Sequence, residues 1–225
     1  MRLGVVVLML AGHILAGHVW LEAQSAGPSG ADADALAKAL QQRYQTIKDF
    51  TADFVHTYRG GALRTQTSER GTVKIKKPGK MRWVYTAPER KEFVSDGVKI
   101  YSHIPADRQV LVSNAPAEGD VSTPALFLSG KGDMTRDFTA SLVQSPIPDS
   151  IGLKLTPKHP EAQYDYFIVA TTQPGLQIRG LATHDRQGGD SVIAFVNLKE
   201  NQGIPDKEFA FTVPKGADVI TNGGN

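Results

Sequence analysis

Few residues in this chain could carry bond-making chemistry. Beyond residue 25 the histidines are His56, His103, His159 and His184, and they fall on different predicted elements. None has a second ligand at strand or helix spacing, so a zinc site has no framework. His184-Asp185 is half of a catalytic triad on paper, but a base and its orienting acid need opposed geometry that chain neighbours seldom supply. No G-x-S-x-G elbow, H-E-x-x-H pair, Walker loop or G-x-G-x-x-G run occurs. The glycine cluster at 129–133 ("SGKGD") lacks the spacing to cradle phosphate. Cysteine is absent, which excludes disulfides, thiolate metal sites, cysteine nucleophiles and a lipid-modified N-terminal cysteine. The expectation is a protein without catalysis, cofactor or metal.

The informative residues are apolar. In "KIKKPGKMRWVYTAPE", residues 74–89, two strands flank a Pro-Gly turn. Met81, Trp83 and Tyr85 alternate along the second strand and share one face. Val73, Ile75 and Lys77 form a row on the first. A lone inward charge is costly. Lys77 therefore either lies at the strand edge in water or meets a partner, such as the carbonyls at the end of a covering helix. The surrounding lysines are expected on a solvated outer face, or against anionic lipid or an acidic partner.

The elements that position these residues follow from periodicity. Leu36, Leu40, Tyr44 and Ile47 recur at helical spacing, with Asp32 and Asp34 opening the segment and Lys48 closing it, so a helix is predicted over 32–48. After Phe50 the period changes to two. Strands are predicted at 51–59, 65–77, 80–87, 90–95, 98–104 and 107–113, separated by Gly60-Gly61, Pro78-Gly79, Ala87-Pro88, Asp96-Gly97 and Pro105-Ala106. Such short connections imply an antiparallel meander. "STPALFLSGKG" at 122–132 reads as a short helix with a Ser122 or Thr123 cap and a Gly130 stop. Two turns cannot bury Leu126, Phe127 and Leu128 on one narrow stripe, so this helix must press on a wide apolar surface. Strands resume at 136–144, 151–156, 164–172, 176–184, 190–199 and 208–213. The fold class is mainly β with a few helices, in a single domain.

At 225 residues with a formal charge of +2, the chain can bury a sizeable core and gives no domain-wide basic signal for nucleic acid. Residues 1–25 pair a weakly positive start with the apolar run "LGVVVLMLAGHILAG" and small residues at Ala23 and Ser25. That pattern predicts a cleaved signal peptide, leaving 26–225 as one exported, periplasmic domain. His13, His18 and Glu22 interrupt the run and argue against a membrane span.

The order of these segments resembles the LolA family of periplasmic outer-membrane lipoprotein carriers. The likeness runs from about 33 to 221 and rests on "GTVKIKKPGKMRWVY", "FVSDGVKIYSHIPADRQV", "TPALFL" and "FVNLKENQGIPDKEFAFTVPKGADVI". It implies an incomplete antiparallel β-barrel of eleven to twelve strands whose open side is covered by a helical lid. The implied lipid-binding cavity is walled by Met81, Trp83, Tyr85, Val73, Ile75, Phe93 and Ile100. The lid is formed by Leu36, Leu40, Ile47, Leu126, Phe127 and Leu128. Lys77 falls where the best-known members look to have Arg, at the position that latches the lid. Lysine lacks the planar fork of arginine donors. The implied partners are lipoproteins held by their acyl chains, an inner-membrane lipoprotein-releasing ABC transporter and an outer-membrane receptor, with the carrier a monomer. A periplasmic sensor domain of the same fold, binding lipid or a protein partner, is the alternative. It would be expected to bring an extra domain or an anchor.

Overall fold

The computed structural model describes residues 30–60, 65–116, 124–186 and 188–222. The predicted signal peptide, the Ser122 and Thr123 cap and part of the Gly60-Gly61 turn lie outside them. In chain order the elements are α1 (Gly30–Gln45), β1 (Asp49–Gly60), β2 (Thr65–Lys76), β3 (Lys80–Ala87), β4 (Lys91–Asp96), β5 (Lys99–Ile104) and β6 (Gln109–Asn114). Then come α2 (Pro124–Leu128), β7 (Phe138–Gln144), β8 (Ile151–Pro157), β9 (Tyr164–Thr171), β10 (Ile178–Asp185), β11 (Gly189–Glu200) and β12 (Asp218–Asn222).

All twelve strands form one sheet, in the order β12-β6-β5-β4-β3-β2-β1-β11-β10-β9-β8-β7. Hairpins join the consecutive strands on either side, and β11 returns to pair with β1 in the middle. The sheet curls without closing, since β12 and β7 remain its two edges. This is the expected incomplete barrel, with α1 packed on β7 and β8 at the open side.

Inward and outward positions alternate as the period of two requires. On β1 the inward row is Phe50, Ala52 and Phe54; on β3 it is Met81, Trp83 and Tyr85. Gly71 sits in the inward row of β2 for want of space. A Cβ there would lie 2.9 Å from the Phe54 ring and 2.0 Å from the Val84 carbonyl oxygen. Its absence lets Phe54 lie edge-on to Trp83 and Tyr85, at centroid separations of 5.1 and 4.9 Å.

Helix α1 ends earlier than its sequence pattern suggests. Thr46 and Ile47 donate back to the Arg43 and Tyr44 carbonyls in a tightened last turn. Lys48 lies beyond the helix, where its N–H donates to Asn201 Oδ1. The most buried stripe is Ala33, Ala37, Leu40 and Tyr44, while Leu36 is half-buried. Two alanines let the helix approach the sheet closely.

The predicted last strand at 208–213 is not a strand. Residues Asp206–Phe209 make a 3-10 turn inside an extended strap that crosses the outer face of the sheet. The true last strand, β12, pairs in parallel with β6. The strap starts from Asp49, which is buried and accepts the Gln202, Gly203 and Ile204 N–H groups. It then covers a second apolar patch. Val94, Val110 and Val112 on the outer face are buried, as are Ile204 and Phe209 of the strap, and Phe211 stacks on Tyr101 at 5.1 Å.

The strap also corrects the expectation for the outer lysines. Lys74 pairs with Glu208, and Lys76 and Lys80 both pair with Asp206. Arg82 binds Glu92 and donates to the Glu208 carbonyl. Four cations of the outer face thus have acidic partners within the chain while remaining partly exposed.

Candidate functional site

The concave face holds a mainly apolar cavity of about 460 Å³, with Ser113, Asn114 and Gln163 also in its lining. Met81, Trp83 and Tyr85 of β3, Phe93 of β4 and Ile100 of β5 form its floor. Ile193 of β11 closes one side, and Ala125 and Leu126 of α2 lie above. A volume of this size falls within the range of small-molecule and cofactor sites. A larger hollow, about 610 Å³, lies on the outer face at the bulge in β1, but Asp53, Lys74 and Lys199 are in its wall. It offers no continuous apolar floor for a hydrocarbon.

Of the expected cavity wall, Met81, Trp83, Tyr85, Phe93 and Ile100 meet around this space. Val73 and Ile75 do not line it; they are 1% and 0% exposed and belong to the packed core. Among the lid residues Leu126 faces the cavity, whereas Phe127 and Leu128 turn into the core. Phe127 stacks on Tyr44 at 5.3 Å and approaches Phe167 at 5.8 Å. Leu40 and Ile47 are buried beside them. All three consecutive apolar residues of α2 are therefore covered, as the wide-surface expectation requires.

The junction between α1, α2 and the β2–β3 turn is dense with directed contacts. Lys77 Nζ donates to the Tyr44 carbonyl at the end of α1 and lies 3.8 Å from the centroid of the Tyr44 ring. The Tyr44 hydroxyl donates to the Leu128 carbonyl at 2.5 Å. Gly79 N–H donates to the Ser129 carbonyl at 2.8 Å, tying the turn to the end of α2. Lys131 Nζ donates to the Pro116 carbonyl. Burial lowers the Lys77 ammonium to about 8, opposed by the Glu200 carboxylate, and burial pushes the Tyr44 phenol far up. Arg43 pairs with Glu200, fastening the end of α1 to β11.

Tyr44 is the participant that sequence reasoning undervalued. It sits in the helical stripe, yet its carbonyl, ring and hydroxyl all act in this junction. An aromatic in the last turn of a helix that ends near an inward lysine is the signal that was available. His184 takes Asp190, not Asp185, as its partner, at 2.8 Å across the β10–β11 hairpin. Asp185 instead accepts from Tyr58 and Gly189 N–H.

Comparison with known proteins fixes the family. Residues 45–212 match the family described as "Outer membrane lipoprotein carrier protein LolA". The chain belongs to the LolA family. The LolA-family relative from Chromohalobacter salexigens, an outer-membrane lipoprotein carrier protein, is 35% identical over 84% of this chain and 88% of its own length. The corresponding LolA-family protein of Ralstonia nicotianae is 30% identical over 95% of this chain and 98% of its own. A solved structure of an uncharacterized conserved protein from Thermus thermophilus superposes with a TM-score of 0.52 at 12% identity, over 83% of this chain and 99% of that one. That likeness is one of fold alone.

Proposed function

We propose that this chain is a non-catalytic periplasmic carrier that shields the acyl chains of lipoproteins between the inner and outer membranes. It takes them from a lipoprotein-releasing ABC transporter, delivers them to an outer-membrane receptor, and works as a monomer. The observation that carries this reading is the apolar cavity under α2, walled by Met81, Trp83, Phe93 and Ile100. The relatives named above are lipoprotein carriers, which supports the same cargo here.

The energetics suit a carrier. Hiding an acyl chain of about sixteen carbons is worth roughly 13 kcal/mol gross, at about 0.8 kcal/mol per CH₂. Cargo must also leave. In the closed state Leu126, Phe127 and Leu128 already occupy apolar surroundings, at 3%, 2% and 1% exposure. Loading displaces part of that packing and sets the Lys77–Tyr44 contact against cargo affinity. Affinity is thereby kept low enough for release.

Native mass spectrometry of the protein purified from periplasm tests this. Co-purifying acylated lipoprotein supports the carrier role, and a chain that flies bare from lipoprotein-rich periplasm contradicts it.

A further inference from the structure

The concave face is not apolar along its whole length. Five neighbouring strands change character at the same level. Moving away from the Lys77 end, the inward position after Phe54 on β1 is His56, and after Gly71 on β2 it is Glu69. After Trp83 on β3 comes Tyr85 with its hydroxyl, next to Lys91 on β4, two residues before Phe93. On β11 the residue two before Ile193 is Ser191, which lies opposite Tyr58 in the register and turns its hydroxyl to the His56 ring.

These side chains form one cluster on the concave face, adjoining the cavity at Tyr85, the one member that lines it, and on the side away from Lys77. Lys91 Nζ donates to Glu69 Oε1 at 2.6 Å and lies 4.4 Å from the Tyr85 ring centroid. His56 Nε2 is 2.8 Å from Ser191 Oγ. His56 Nδ1 lies 3.3 Å from Glu69 Oε2 but off the line of a hydrogen bond, and it has no hydrogen-bond partner among the described residues. All are half-buried or buried, and Tyr85 and Ile193 belong to the cavity wall itself. The cluster satisfies itself only in part: Lys91 keeps two ammonium donors beyond the one given to Glu69, and His56 Nδ1 has no hydrogen-bond partner among the described residues, so polar capacity remains for an occupant of matching polarity.

We propose that the His56–Glu69–Lys91–Ser191 belt, with the Tyr85 hydroxyl, is a subsite for the polar junction of a bound amphiphile, where ester and amide carbonyls meet the hydrocarbon tails. Resting on the carrier reading above, this assigns an orientation to the cargo. Tails lie over Trp83 and Phe93 toward α2, and the carbonyls accept hydrogen bonds from Lys91, Tyr85 and Ser191. Burial pushes the Tyr85 phenol up to about 12, so it remains a donor at neutral pH. Burial also holds the His56 imidazole below its ordinary value, against the pull of Glu69, which keeps the belt close to neutral.

The test compares three probes on the full chain. One is a pyrene-labelled hexadecane with no carbonyl, read by its fluorescence. The others, read by its displacement, are dipalmitoylglycerol and a dipalmitoyl-glyceryl-cysteine peptide, kept below their aggregation concentrations. A paired variant, Glu69→Gln with Lys91→Met, removes both charges together and so leaves neither stranded. Ser191→Ala is the milder second variant. The expected result is that the paired variant weakens peptide binding about tenfold, the worth of one charge-assisted hydrogen bond, with pyrene-hexadecane binding unchanged. Ser191→Ala gives a smaller loss in the same direction. A matching loss for dipalmitoylglycerol assigns the contact to ester carbonyls, and a loss for the peptide alone assigns it to the amide. Equal losses for all three probes, or none, overturn the subsite. Wild-type protein that takes none of the probes overturns the carrier reading, and the subsite with it.

Discussion

Lys77 and Tyr44 make two contacts at once: the Lys77 ammonium donates to the Tyr44 carbonyl and sits 3.8 Å from the centroid of its ring. The carbonyl belongs to the last turn of α1, where helix carbonyls lack intrahelical donors and the helix dipole favours a cation. Through the Tyr44 hydroxyl the same residue holds Leu128 of α2. One lysine on the barrel therefore reaches both helices that cover it.

Replacing Lys77 by Leu removes the charged donor and leaves the Tyr44 carbonyl with the Ile47 N–H alone. The open state gains population, and a binding-competent state that is more populated holds its ligand more tightly. The expected outcome is faster amide hydrogen exchange at residues 126–131 and about tenfold slower cargo release, as one charge-assisted hydrogen bond is worth. Exchange and release at wild-type rates would remove Lys77 from the lid mechanism.

The lowered Lys77 pKa, about 8, gives a signed pH effect. A lysine that binds its proton more weakly folded than unfolded opposes folding while charged. That penalty is complete below pH 8 and fades as pH rises toward the unfolded value of about 10.4. The neutral amine still donates, so the contact with Tyr44 survives. Denaturant melts of wild type and Lys77→Met at pH 7, 8.5 and 10 should show the difference moving in favour of wild type as pH rises. A pH-independent difference would show that the charge is not strained by burial.

Gly130 has φ +83° and stands against Lys77; a Cβ there would lie 2.7 Å from Lys77 Cδ. Gly130→Ala should cost about 1–2 kcal/mol from the left-handed backbone and the displaced lysine. For a chain of this size that lowers Tm by about 2–8 °C. An unchanged Tm would mean that neither the left-handed backbone nor the Lys77 contact constrains this position.

Asp206 is held at about pKa 2 by hydrogen bonds from Lys76 and Lys80. A carboxylate with a depressed folded pKa contributes its stability above about pH 3.9, and the contribution disappears as pH falls through 2. Protection of the amides at residues 206–211, taken relative to the intrinsic exchange rate at each pH, should therefore fall between pH 4 and 2, and Asp206→Asn should show the lowered protection already at pH 7. Unchanged protection across that range would mean that the apolar contacts alone hold the strap.

The helix, eleven of the strands and the alternation of Met81, Trp83 and Tyr85 were legible because each is set by contacts within a few residues along the chain. The strap was not. Phe209 and Phe211 alternate as a strand would, and what overrides them lies far away: Glu208 on Lys74, Asp206 on Lys76 and Lys80, Phe211 on Tyr101. A local pattern cannot register such pairings. The parallel return of β12 escaped for the same reason. Val73 and Ile75 show a finer limit, because periodicity assigns a side chain to a face but not to the cavity within it. His56 was legible in principle, since it shares parity with Phe50, Ala52 and Phe54. Its role emerges only beside Glu69 and Ser191.

Trp83 offers the most direct measurement of where acyl chains go, since it lies in the cavity wall and Trp20 is the other tryptophan in the sequence. In a Trp20→Phe chain the indole emission comes from Trp83 alone. A dipalmitoyl lipopeptide brominated near the middle of its chains quenches an indole only on close contact. The expected result is strong quenching by the brominated lipopeptide and none by its unbrominated twin. Bound lipopeptide that leaves Trp83 emission unchanged would place the chains elsewhere and contradict the cavity as their site.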